Sequence, residues 1–195
     1  MLVLKFNKPS ILNFSVDIKS LLYSVIEEIG KEKIRLDISS DIGLSKMYSD
    51  IVMRKVISKI GSFPDNDTLY VLCESLLHFL LTISMIPSER KIKIHNSIIL
   101  DVVIPNVRNL KRYPNKSLII QIIRNNYELK RINQIYDIQP NEKNIWIISA
   151  NPIKYRYRNY TLNQGSNLYS FSSLLIDIDI FLKNSGDKSF TFLPS

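Results

Sequence analysis

Two polar side chains interrupt strongly apolar, β-branched runs in the middle of this sequence. Asp101 lies within IILDVVI, and Gln121 lies within LIIQII. Short runs of this kind, bounded by turn signals, are typical of strands that are buried on both faces. A polar group in such a strand costs free energy unless it is paired, and the cost is largest for an ionised carboxylate. Asp101 and Gln121 therefore indicate an internal hydrogen bond, a strand end that reaches water, or a chemical site.

A third candidate, Glu74, lies on a helix that the sequence predicts before these strands. The segment 69–86 is apolar almost all round, which predicts a largely buried helix, and Pro87 ends it. Glu74, His78 and Thr82 are spaced four residues apart and therefore share one stripe of that helix. This stripe either touches solvent or directs Glu74 towards Asp101.

The elements that must position these residues follow one order from Thr68 onward: helix, strand, strand, strand, helix, strand. The strands are KIKIH, IILDVVI, LIIQII and NIWIIS, and the helix between the last two spans 126–138. Asn96 and Ser97 predict a hairpin turn between the first two strands. A further helix is predicted over 171–183, and short strands are predicted at LVLKF and KSFTFL. The predicted fold class is α/β, with a central mixed sheet flanked by helices.

This order, with an acid in the second strand and a polar residue in the third, resembles the core of the restriction-endonuclease-like family, PD-(D/E)XK. The resemblance covers roughly residues 68–150. Asp101 falls on the acid of the PD strand, with Leu100 in place of proline. Gln121 falls on the second acid, and Glu74 falls on a glutamate that the family's preceding helix often carries. The resemblance thus implies catalytic positions at Asp101, Gln121 and Glu74, with Asp101 as the metal ligand.

The family's chemistry shows what the departures from its motif mean. Two carboxylates on adjacent strands can hold Mg²⁺ against the scissile phosphate, and a lysine two residues beyond the second acid can orient the attacking water. This chain has an amide at Gln121 and an apolar side chain at Ile123, where that lysine is expected. Arg124 follows, but alternation along a strand directs it to the opposite face. The resemblance implies Mg²⁺ as the cofactor, with weakened metal affinity and strongly reduced hydrolysis.

The charge balance favours a polyanionic partner. The chain carries 26 Lys and Arg against 18 Asp and Glu, a net charge of +8. Two basic segments include aromatic residues, which suits phosphate contact and base stacking. The connection between IILDVVI and LIIQII contributes Arg108, Lys111 and Arg112, and the segment IKYRYRNYTL contributes Lys154, Arg156 and Arg158. The second segment also fits an outer strand whose cations block unwanted strand pairing.

Residues 38–60 resemble a helix-turn-helix unit. Apolar positions four apart, a glycine at the turn and a second helix over 45–60 carry this resemblance, which places Lys46 and Tyr48 (with Ser49) in a groove of DNA. An ordinary helical hairpin explains the same pattern. Another helix is predicted from Ser15 to Gly30, and a link or short strand over 31–37. The expected division is an N-terminal helical segment over 1–62 and an α/β domain over 63–195.

Several classes of protein are disfavoured by what the sequence lacks. Its single cysteine, Cys73, excludes an intramolecular disulfide and a cysteine-based zinc site. No uncharged apolar run reaches the length of a membrane span, and the N-terminal residues are too polar for a secretory signal. The expected location is therefore the cytoplasm, without a membrane partner.

Three functions fit the sequence. The first is a nucleic-acid-binding protein whose restriction-endonuclease-like core is catalytically impaired, with DNA favoured over RNA. The second is an active, Mg²⁺-dependent nuclease whose missing cation comes from elsewhere in the chain. The third is a helix-turn-helix DNA-binding protein with an α/β interaction domain. A protein partner or a second copy of the chain is compatible with each of them.

Overall fold

A computed structural model of the chain describes residues 17–94, 98–153, 156–162 and 170–185. The strands predicted at LVLKF and KSFTFL and the turn at Asn96 and Ser97 lie outside the described residues. The helices and strands are, in chain order, α1 (Ile18–Ile29), α2 (Lys31–Ser40), α3 (Leu44–Ile60), α4 (Asn66–Ile83), β1 (Glu89–Ile94), β2 (Ile98–Ile104), α5 (Val107–Arg112), β3 (Leu118–Ile123), α6 (Asn126–Arg131), β4 (Ile145–Ser149), β5 (Arg158–Thr161) and α7 (Leu174–Asn184).

The strands form a five-stranded mixed sheet in the order β1-β2-β3-β4-β5. Strands β1, β2 and β3 pair antiparallel, whereas β3, β4 and β5 pair parallel. A parallel pair needs a crossover, and α6 with the 3₁₀ turn Ile132–Asp137 makes it between β3 and β4. The sequence predicted one helix over 126–138, and the structure tightens its second half into this 3₁₀ turn. The α/β fold class and the mixed sheet are confirmed.

Helices cover both faces of the sheet, which explains why its central strands are apolar throughout. On one face, Val102, Ile120 and Ile148 pack into a core with buried residues of α1 to α4 and α7. On the other face, Ile119 and Ile147 belong to a second core with buried residues of α5 and of the 3₁₀ turn Ile132–Asp137. Asp101 and Gln121 thus lie in strands that are enclosed by helices above and below.

Capping residues set the ends of the N-terminal helices. Asp17 caps α1, its side chain accepting a hydrogen bond from the Lys19 N–H, and Gly30 ends the helix at a φ of 102°. That left-handed glycine also begins α2, so the prediction of a link or strand over 31–37 is wrong. Ile34 and Ile38, four residues apart, form the buried side of α2. The predicted second helix of the pair is confirmed as α3.

Helix α4 is the buried helix that the sequence predicted. Asp65 caps it by accepting a hydrogen bond from the Thr68 N–H at 2.8 Å. The helix ends at Ile83, three residues before the predicted end. In the described part of the chain, no helix combines the length and the hydropathy that crossing a membrane requires.

Candidate functional site

Asp101 and Gln121 are held together where β2 and β3 separate. The regular pairing of these strands covers Val102↔Ile120, Val103↔Ile119 and Ile104↔Leu118. Beyond it, side chains replace the backbone ladder. The Gln121 Oε1 accepts a hydrogen bond from the Asp101 N–H at 2.6 Å, and the Asp101 Oδ2 accepts one from the Ile122 N–H at 2.8 Å. Each polar residue therefore bonds to the backbone of the neighbouring strand.

Both polar atoms of the Gln121 amide are engaged in this arrangement. Besides accepting from Asp101, it donates through Nε2 to the Ile99 carbonyl oxygen at 3.1 Å. Of the explanations that the sequence left open, an internal hydrogen bond accounts for Gln121. An oxygen engaged in this way is not directed at a metal ion, although both Asp101 and Gln121 line one cleft of about 250 Å³.

A lysine from the edge strand completes the site. Lys91 on β1 places its Nζ 2.8 Å from the Asp101 Oδ1 and 3.1 Å from the Glu74 Oε1. It lies between Arg90 and Ile92, which pair with Val102 and Leu100, so the hairpin register sets it opposite Asp101. Lys91 thus joins the carboxylate of β2 to the carboxylate of α4.

The charge of Lys91 is stabilised by its two partners. Partial burial lowers the pKa of Lys91, but the hydrogen bonds and charges of Asp101 and Glu74 outweigh it, and the net pKa lies above the ordinary 10.5. A raised lysine pKa means that the pairing stabilises the fold below the ordinary value while both carboxylates are charged. That contribution is lost as the pH rises through the folded-state pKa. Lys91 is therefore a cation throughout the physiological range.

Arg124 is a second cation of the cluster and is paired with Glu74. Its guanidinium Nη2 lies 3.6 Å from the Glu74 Oε2 and its Cζ 5.9 Å from the ring centre of Tyr70. Its backbone N–H donates to the Glu128 Oε2 at 2.6 Å. Arg124 therefore lies on the α4 side of the sheet. The preceding residue, Ile123, belongs to the core on the opposite face and is only 4% exposed.

Sequence reasoning missed Lys91, although one signal pointed to it. Polar and apolar residues alternate in KIKIH, which indicates a strand with one exposed face, and the predicted hairpin pairs that strand with IILDVVI. The residue opposite Asp101 can be identified only when the register between these two strands is known. The prediction that directed Glu74 towards Asp101 matches its position, with Lys91 as the link.

These residues do not fit a divalent metal ion as they are arranged. The carboxylates of Asp101 and Glu74 are each engaged by an ammonium or a guanidinium, and the Gln121 oxygen is bonded to the backbone. Within residues 17–94, 98–153, 156–162 and 170–185, no group of three or more His, Cys, Asp or Glu side chains could hold a metal. Hard cations such as Mg²⁺ need several free oxygen ligands, which this cluster does not offer.

The basic residues between β2 and β3 lie on the surface. Asn106 caps α5, its side chain accepting a hydrogen bond from the Asn109 N–H at 2.8 Å. Tyr113, directly after the helix, is 57% exposed. The predicted contact residues on this helix are all exposed: Arg108, Lys111 and Arg112. We call these three residues and Tyr113 the α5 surface.

The cations of the β5 segment are engaged with acids. The Arg156 Nη1 lies 2.9 Å from the Glu142 Oε1, and the Arg158 Nη1 lies 3.8 Å from the Asp177 Oδ2. Both guanidinium groups also lie over aromatic rings. Lys154 lies outside the described residues. Strand β5 is an outer strand of the sheet, in agreement with the second interpretation of this segment.

The helix pair α2 and α3 exposes only part of its predicted contact set. Lys46 is exposed. Tyr48 is 3% exposed, and its hydroxyl donates a hydrogen bond to the Asp37 carboxylate. Ser49 is buried and donates to the Ser45 carbonyl oxygen at 2.7 Å. Burial contradicts the prediction that Tyr48 and Ser49 face a groove, because α3 packs this side against the rest of the molecule.

Comparison with solved structures identifies the fold. The chain is similar to Ecl18kI, solved metal-depleted in complex with uncleaved, modified DNA, with a TM-score of 0.60, 10% identity, and coverage of 90% of this chain and 82% of that chain. It is also similar to the restriction endonuclease PspGI, solved with substrate DNA, with a TM-score of 0.52, 16% identity, and coverage of 86% and 93%. No family model and no curated protein matches the sequence. The fold is restriction-endonuclease-like, as the sequence predicted.

Proposed function

We propose that this protein binds DNA and that its restriction-endonuclease-like core is catalytically impaired. The proposal rests on the two positions of β3 where the family carries its second acid and its lysine. Gln121 uses both of its polar atoms on the backbone of β2, and Ile123 is buried where the family has its lysine. Without a second carboxylate or that lysine, phosphodiester hydrolysis lacks both metal charge and stabilisation of the transition state.

DNA is the partner that the fold and the charge favour. Both similar structures are described as complexes with DNA, and the chain has a net charge of +8. The α5 surface offers exposed cations beside an exposed aromatic ring, which suits phosphate contact with base stacking. We therefore assign the first contact to the α5 surface, with Lys46 and the β5 segment (Lys154, Arg156 and Arg158) as secondary sites.

Replacing three cations of the α5 surface with alanine tests this assignment. We expect Arg108→Ala/Lys111→Ala/Arg112→Ala to weaken binding to a fluorescent DNA duplex and to lower the slope of log affinity against log salt by up to about 3. Fluorescence anisotropy over a salt series measures both quantities. A charge-matched control carries Lys31→Ala/Lys33→Ala/Arg35→Ala on α2, whose residues are also exposed. Equal weakening in both variants would contradict a specific role for the α5 surface.

A second candidate function is an active nuclease in which Lys91 supplies the missing cation from β1. The observation that favours it is the 2.8 Å contact between the Lys91 Nζ and the Asp101 Oδ1. Incubating supercoiled plasmid with Mg²⁺ or Mn²⁺ separates the two functions. Cleavage that Asp101→Ala abolishes while binding survives would establish the nuclease. Binding without cleavage supports the impaired core, and absence of any DNA affinity at low salt would refute both.

A further inference from the structure

One ammonium lies between two carboxylates at the position where this fold would be expected to carry its metal. Lys91 bridges Asp101 and Glu74, which come from different layers of the molecule, the sheet and the helix packed on it. The two acid side chains are 15% and 22% exposed, so water screens them only partly. Without a cation between them, their mutual repulsion would weaken the packing of α4 on the sheet.

The ion-paired side chains of this cluster balance one another. Two carboxylates, Asp101 and Glu74, face two cations, Lys91 and Arg124, so the formal sum of these four groups is zero. The Glu128 carboxylate, which accepts a hydrogen bond from the Arg124 N–H, adds one negative charge beside them. A divalent ion could enter only by displacing the Lys91 ammonium from both of its hydrogen-bonding partners. The Lys91 side chain therefore neutralises the Asp101–Glu74 pair, as a bound metal ion otherwise would.

We propose that Lys91 is the built-in counter-cation of the Asp101–Glu74 pair, so that the fold and DNA binding of this chain are independent of divalent metal. The inference rests on the proposed DNA-binding function for its second half only. Its first half concerns the stability of the protein and does not depend on DNA. It also defines the role of Lys91 as a positioning residue that fixes α4 against β2.

The test compares thermal unfolding of the full chain in EDTA, in Mg²⁺ and in Mn²⁺. We expect the midpoint of the natural protein to be the same in all three. Lys91→Met should unfold at lower temperature in EDTA, and Mn²⁺ should raise its midpoint by roughly 4 °C, because a divalent ion can then bind between the two carboxylates that have lost their lysine. Lys93→Met is the matched control, since Lys93 is an exposed lysine on the same strand, and it should show no response to metal.

A double variant keeps the test decisive if Lys91→Met does not fold. Lys91→Met/Asp101→Asn removes one charge of each sign and retains an oxygen that can accept from the Ile122 N–H. We expect this variant to fold without metal and to lose the response to Mn²⁺. A double variant as unstable as Lys91→Met would overturn the counter-cation role, and so would a natural protein whose midpoint rises with Mg²⁺.

Anisotropy with the same DNA duplex separates the two proposals. Equal affinity of the natural protein in EDTA and in Mg²⁺, after correction for ionic strength, supports metal independence. Binding that appears only with Mg²⁺ would overturn the inference while leaving DNA binding intact. No binding under either condition would refute the proposed function, whereas the unfolding measurements would still decide the role of Lys91.

Discussion

At the scale of single residues, the amide of Gln121 takes the place of missing backbone pairs. It accepts from the Asp101 N–H and donates to the Ile99 carbonyl, so the backbone of β2 stays satisfied where its ladder with β3 stops. Gln121→Leu would leave these two backbone groups without partners in a partly buried position. We expect a loss of about 1–3 kcal/mol in the free energy of unfolding. Urea denaturation followed by circular dichroism measures it.

The matched control for this change is Gln134→Leu. Gln134 is exposed on the 3₁₀ turn Ile132–Asp137 and undergoes the same chemical replacement there. Its effect should stay within about 0.5 kcal/mol of zero. Equal effects of the two substitutions would show that the Gln121 amide is not needed to join β2 and β3.

The sequence predicted the positions of these polar residues better than their partners. Strand periodicity placed Asp101 and Gln121 on neighbouring buried strands, and the cost of burying them required partners. It could not identify Lys91, because its contact with Asp101 depends on hairpin register and on the approach of α4. The sequence also could not predict that Tyr48 is buried, because the packing of α3 decides which side of that helix meets solvent.

At the scale of elements, Glu28 connects α1 to α3. Its carboxylate lies 2.9 Å from the Lys55 Nζ and 2.8 Å from the Lys59 Nζ. Hydrogen bonds from Lys59 and Lys55 lower the pKa of Glu28 from 4.5 to about 2. A lowered glutamate pKa gives stability that is present above the ordinary value and lost as the pH falls through the folded value.

Glu28→Gln should therefore make the stability of the protein depend less on pH in the acid range. We expect the melting temperature of the natural protein to fall more steeply than that of the variant between pH 4.5 and about 2. The difference should shrink in high salt, because the pair is exposed and screened. Calorimetry across this pH range measures both trends, and parallel profiles would show that Glu28 contributes nothing through its charge.

Element boundaries were predicted well where periodicity was long and poorly where a turn was hidden. The apolar spacing of α3 and α4 gave both helices within a few residues. The prediction of a link or short strand over 31–37 is wrong, because Gly30 resembles a stop signal although it forms the junction between two helices. The basic connection before β3 carried no helix prediction, yet Asn106 starts a short helix in it.

At the scale of the whole molecule, one core extends from the N-terminal helices to the sheet. Buried residues of α1, α2 and α3, among them Leu22, Ile34 and Val56, belong to the same cluster as Val102 and Ile120. Elements that share a core unfold together. We expect a single transition in urea, with the fluorescence of the sole tryptophan, Trp146 on β4, coinciding with the helical signal in circular dichroism.

Separate transitions would instead support the division after residue 62. A helical signal that falls before Trp146 becomes exposed would mean that the N-terminal helical segment unfolds as an independent unit. A variant such as Val56→Ala, at a fully buried position of α3, then shows which transition that helix belongs to. In the cooperative case it shifts both probes equally.

The site depends on the register of β1, which lies at the edge of the sheet. Within the described part of the chain, β1 pairs with β2 alone, through a register that runs from Glu89↔Val103 to Ile94↔Ile98. Sliding a strand by one residue exchanges the side chains presented on its two faces. A one-residue slip of β1 would thus withdraw the ammonium and bring Arg90 or Ile92 opposite Asp101. The alignment of two neighbouring strands therefore determines whether the Asp101–Glu74 pair keeps its counter-charge.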